Sequence, residues 1–166
     1  QVDKNDKSFG SLGIKVGDIL TLVGTRASYS GTAQVGGPAY YVSHKSHTEA
    51  TVAQFLAAST GDAYYKLTGT IQNLKSDVYG NFDLVDETGS VYVYGLTKAP
   101  VEKNDKSFAS LGLKEGDKVT IVGTRAEYKG DAQVGGPAYY LYHESGSSEE
   151  EECGQEEEVD ANAINV

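Results

Sequence analysis

Residues 79–95, YGNFDLVDETGSVYVYG, alternate between apolar and polar side chains on either side of a short turn signal. That period of two predicts a β-hairpin with one buried and one solvated face. Phe82, Leu84, Val91 and Val93 share the inward parity, and Tyr79, Asn81, Asp83, Tyr92 and Tyr94 share the outward one. Glu87-Thr88-Gly89 joins the two strands, with Gly89 expected to supply a positive φ.

The same reading extends in both directions. Residues 64–74 alternate as a preceding strand, with Tyr65, Leu67, Gly69 and Ile71 on one face; a glycine inside such a strand marks a bulge or sharp bend. Residues 48–59 predict a short helix capped by Thr48, with Val52, Phe55 and Leu56 as its apolar stripe. Downstream, residues 106–111 allow at most two helical turns. Residues 117–125 and 132–142 then supply a fourth and a fifth strand, separated by the polar stretch Glu127-Tyr128-Lys129-Gly130. The Gly-Gly-Pro at 135–137 reads as a kink within or before the last strand. The fold class is therefore all-β, with short helices.

Self-comparison adds a repeat. Residues 2–46 align without gaps to residues 101–145 at an offset of 99, with 32 of 45 positions identical. Most differences are apolar exchanges, such as Ile14 for Leu113 and Leu22 for Ile121, or fall on expected loop positions, such as Ser30 for Lys129. One copy is complete over residues 48–145. Residues 1–46 hold only the C-terminal half of another. The chain starts at Gln1 and contains no Met, which reads as a processed chain or an excerpt of a longer array.

Composition narrows the function classes. The net charge of −10 is concentrated in residues 146–166, read as an acidic linker or tail, where eight acidic residues follow Ser148 without a Lys or Arg. Residues 1–148 then carry only −2, with no basic stripe of the kind that drives duplex binding. Cys153, the single cysteine, sits in the acidic run and has no partner for a disulfide or a metal site. No apolar run approaches the roughly 20 residues a membrane-crossing helix needs, so no membrane span is expected. His44 and His143 are repeat equivalents, which suits a structural position better than a unique catalytic one. No nucleophile motif, paired carboxylates or phosphate loop is present, so no catalytic residue, cofactor or metal is expected.

The element order, together with LTGTI, GNFDLVDETGSVYVYG and GDKVTIVGTR, resembles the OB-fold, a five-stranded Greek-key barrel. More narrowly, FLAAS, YYKLTGTI, SLGLKEGD and VGTRAEYKG resemble the OB-type nucleic-acid-binding domains found in tandem in secreted or lipid-anchored Bacteroidetes proteins. The resemblance implies an extracytoplasmic setting and a ligand lying across strands two and three. The platform would hold Tyr79, Asn81, Asp83, Tyr92 and Tyr94. Lys75 would stand in the first flanking loop, and Arg125, Tyr128 and Lys129 at the second.

Single-stranded nucleic acid, bound weakly, leads the ligand classes, because tyrosines can stack on bases while a few cations follow the phosphates. A glycan is the alternative, since Tyr beside Asn and Asp also suits sugar rings and hydroxyls. A spacer or assembly module without a small ligand is the third reading. Residues 2–46 would expose an apolar face and open ladder edges. Self-association is therefore expected through this unpaired half-barrel, by domain swapping between chains, with strands from missing upstream sequence as the alternative. A permuted barrel of residues 2–100, leaving 101–145 spare, is disfavoured because covalent neighbours usually pair.

Overall fold

The computed structural model describes residues 8–145; the acidic tail and Cys153 lie outside the described residues. It contains nine strands and one α-helix among those residues. Strands β1 (Ile19–Tyr29) and β2 (Thr32–Lys45) form a separate antiparallel hairpin. There follow β3 (His47–Glu49), α1 (Val52–Ala57), β4 (Tyr64–Ser76), β5 (Asn81–Asp86), β6 (Gly89–Val93) and β7 (Leu96–Thr97). A 3-10 turn at Ser107–Leu111 leads into β8 (Lys118–Tyr128) and β9 (Asp131–Glu144).

Five of these strands close into a barrel-like ring, in the order β4, β5, β6, β9, β8 and back to β4. Only the β6–β9 contact of the ring is parallel. Closure depends on β4 serving two partners. Tyr64 to Thr70 pair with β8, and Thr70 onward with β5. The bend expected at Gly69 falls at this exchange. A Cβ there would lie 2.7 Å from the Val85 carbonyl oxygen, so only glycine lets β5 cross so closely.

The inward parity of the hairpin fills the ring. Phe82, Leu84, Val91 and Val93 are buried together with Leu67, Ile71, Val119, Ile121 and Val134. Each such side chain contributes about 1.5–3 kcal/mol by leaving water. Helix α1 adds Val52 and Phe55 to this cluster, and the Phe108 ring lies 6.2 Å from that of Phe82.

Local details correct several expectations. The helix starts at Val52 rather than near Thr48, because residues 47–49 pair in parallel with β4 as β3. Its cap is Thr51, whose hydroxyl accepts from the Gln54 N–H while the Gln54 side chain accepts from the Thr51 N–H. Leu56 faces solvent, so the apolar stripe narrows to Val52 and Phe55. Gly89 has no positive φ. The β5–β6 turn is held instead by Asp86, whose Oδ1 accepts from Thr88 N, Thr88 Oγ1 and Gly89 N. Its Oδ2 accepts from Val52 N and so ties the turn to the helix start. Burial works to raise the Asp86 pKa, but these hydrogen bonds outweigh it and hold the carboxyl below its usual range.

The hairpin β1–β2 duplicates β8–β9 pair for pair. Leu22 faces Tyr41 as Ile121 faces Tyr140, and both hairpins shift register at the same two places, the second at the Gly-Gly-Pro kink. Each turns through two positive-φ residues, Ser30-Gly31 and Lys129-Gly130. Two things separate them: Gly136–Pro137 is a cis peptide and Gly37–Pro38 is not, and their burial differs. Val35 is 57% exposed and its twin Val134 0%; Leu22 is 39% exposed and Ile121 0%; Phe9 is 64% exposed and Phe108 2%.

Candidate binding face

The outward parity of β5 and β6 is as expected, but the structure divides the proposed site residues into three groups. The first is a connected polar patch. Asp83 and Tyr92 are cross-strand partners, and Gln72 of β4 stands opposite Asp83 on its other side. The Lys75 ammonium lies 4.5 Å from the centre of the Tyr92 ring, a cation–π distance, and 3.9 Å from Asp83 Oδ1. Asn73 Nδ2 donates to Asp83 Oδ2 at 2.9 Å. Lys75 is therefore not in a loop, as expected, but within β4. That strand runs to Ser76 past Asn73, which adopts φ 49° where the pairing with β5 shifts register. The shift brings the lysine over the tyrosine.

The second group marks the far end of β6. Tyr94 and Tyr79 are both exposed. Tyr94 N donates to the Val134 carbonyl and Leu96 N to the Tyr79 carbonyl, so both tyrosines leave from the ends of strands rather than from the platform itself. Asn81 opens β5, half-buried, with its amide oxygen enclosed.

The third group sits elsewhere. The four-residue stretch expected as a flanking loop is a two-residue turn, Lys129-Gly130, because Glu127 and Tyr128 continue β8 and pair with Ala132 and Asp131. Tyr128 is exposed at that tip with the Lys129 ammonium 5.2 Å from its ring centre. Arg125 is buried inside β8 with its guanidinium donating to the Ala126 carbonyl, which removes it from a solvent-facing site. The structure thus joins Lys75, Asp83 and Tyr92, with Asn73 added, and leaves Tyr128 and Lys129 as a separate pair.

Outside this face, the turn preceding β1 meets the barrel. Tyr139 Oη donates to the Gly17 carbonyl at 2.6 Å, and His47 Nδ1 lies 2.9 Å from Asp18 Oδ1 with both side chains buried. Burial, with the neighbouring Tyr64 and Asp18, pushes the Tyr139 phenol up to about 12. A tertiary contact between residues 122 positions apart leaves no local sequence signal.

Among the described residues no three His, Cys, Asp or Glu side chains gather as metal ligands would, and no helix is long and apolar enough to cross a membrane. No family model matches the chain, and no curated protein matches it significantly.

Proposed function

We propose that the ring is an OB-type barrel and the chain a non-catalytic binding module that takes single-stranded nucleic acid weakly across β5 and β6. The ring order, with its parallel β6–β9 contact and a 3-10 turn between β6 and β8, supports the OB assignment. The Lys75–Tyr92 pair on the outward sheet face is the observation that carries the ligand reading: a ring that can stack on a base once the ammonium over its face swings out to a phosphate. Asp83 at the centre of the patch opposes phosphate, which keeps the affinity low, and with Lys75 as the one cation of the patch the salt dependence is shallow. An extracytoplasmic setting belongs to the same proposal and rests on the resemblance of residues 48–145.

Fluorescence anisotropy with a labelled single strand at increasing salt tests this. Tyr92→Ala should weaken binding by about 1–3 kcal/mol per stacked base lost, and Tyr94→Ala, beyond the end of β6, by less. Binding that neither substitution alters would remove the platform. A glycan is the second reading, favoured by one observation: the Asp83 carboxylate, fixed by Asn73 beside Tyr92, presents hydroxyl-binding atoms next to an aromatic surface. Binding to a glycan array that is insensitive to salt and lost in Tyr92→Ala would replace the first reading with the second.

A further inference from the structure

We propose that the face of the β1–β2 hairpin bearing Leu22 and Val35 is a preformed docking site for one kind of partner. That partner is a polypeptide carrying the front half of this same repeat: a capped helix and three antiparallel strands with the apolar pattern of residues 52–93, without a back half of its own.

The chain itself shows what covers such a face. The twin hairpin β8–β9 buries Ile121 and Val134 against Leu67, Ile71, Phe82, Leu84, Val91 and Val93, all supplied by β4 to β6, and Phe108 joins the same cluster. The spare hairpin already holds the register, the two shifts and the turn that this packing requires. Its local hydrogen bonds are the same too. Thr25 Oγ1 donates to the Gly36 carbonyl at 2.9 Å as Thr124 Oγ1 does to Gly135 at 3.0 Å, and Tyr41 Oη meets His44 Nδ1 at 2.9 Å as Tyr140 Oη meets His143 at 2.8 Å. The register and the turn are thus in place before binding, which favours association.

Counting halves weighs against the simplest partner. Residues 8–145 hold one front half and two back halves, so exchanging halves between copies of these residues leaves as many hairpins uncovered as before. Such swapping gains no apolar burial. A front half that arrives without its own hairpin covers the spare one as β4 to β6 cover β8–β9.

The test uses the full chain and, as probe, a labelled polypeptide with the sequence of residues 47–100. Analytical ultracentrifugation should show a one-to-one complex, and hydrogen exchange should show new protection across residues 19–45. Leu22→Lys and Val35→Lys should each weaken the complex at least about 30-fold, the factor for losing an interface hot spot. Both variants should leave thermal unfolding of the barrel unchanged, and Tyr92→Ala should leave probe binding unchanged, which separates this proposal from the ligand reading. A chain with residues 47–100 fused ahead of Gln1 guards against an insoluble probe: its β1–β2 amides should become as protected as those of β8–β9. The proposal is overturned if neither format protects residues 19–45. It is equally overturned if probe binding survives both lysine variants, or if copies of the chain pair hairpin to hairpin and exclude the probe.

Discussion

Phe9 and Phe108 stand in nearly identical hexapeptides, KSFGSL and KSFASL, and both belong to 3-10 turns. Their surroundings differ completely, so one substitution made at both positions isolates packing from local sequence. The Phe108 ring lies 6.2 Å from Phe82 and fits against Gly80, where a Cβ would approach it to 2.4 Å. Truncating it to alanine removes a buried aromatic from a close-packed ring and should cost about 3–5 kcal/mol. Against a total stability of about 5–15 kcal/mol for a domain of this size, that is a large fraction. Phe9 is 64% exposed, and Phe9→Ala should change stability by no more than about 0.5 kcal/mol. Urea unfolding followed by far-ultraviolet circular dichroism reads both values. A Phe9→Ala cost above about half that of Phe108→Ala would refute the reasoning, because Phe9 would then be covered in solution. So would a Phe108→Ala cost below about 1 kcal/mol.

Two further predictions concern charge. Asp86→Asn keeps the shape but loses an acceptor that serves the β5–β6 turn and the start of α1, and should cost about 1–3 kcal/mol in the same assay. Because the Asp86 pKa is depressed in the fold, its contribution is complete above its unfolded value of about 3.9 and disappears as pH falls through the lower folded value. The variant should therefore lose part of the acid dependence of stability below about pH 4. Tyr139 has the opposite sign: its pKa is raised to about 12, so its contribution is complete below an unfolded value of about 10 and is lost as pH rises through about 12. Tyr139→Phe should flatten that alkaline loss, and hydrogen exchange near Gly17 should show the junction loosening in the wild type only.

The barrel was legible where a face is buried. The alternation over residues 79–95 assigned Phe82, Leu84, Val91 and Val93 to the core, and Gly69 announced the bend that lets β4 pair on both sides. The true helix cap was also present in the sequence as Thr51-Val-Ala-Gln54, a capping-box pattern that the earlier Thr48 obscured. The site was less legible. Lys75 reaches Tyr92 only because β4 shifts register before Ser76, and Arg125 is buried within β8 where it pairs with Val134 of β9. Both outcomes depend on pairing between distant segments, which alternation within one segment does not encode. The exposure of the first half copy follows from the repeat itself, since identical residues cannot bury an apolar face without identical neighbours.

Native-state hydrogen exchange on the unmodified chain tests most directly whether β4, β5 and β6 complete one hairpin and leave its twin bare. Hydrogen-bonded amides of β8 and β9 should exchange only through openings close in free energy to global unfolding. Their partners in β1 and β2, held in the same register, should exchange at least about 100-fold faster, because no packed core closes over them. Equal protection of the two hairpins would contradict the account.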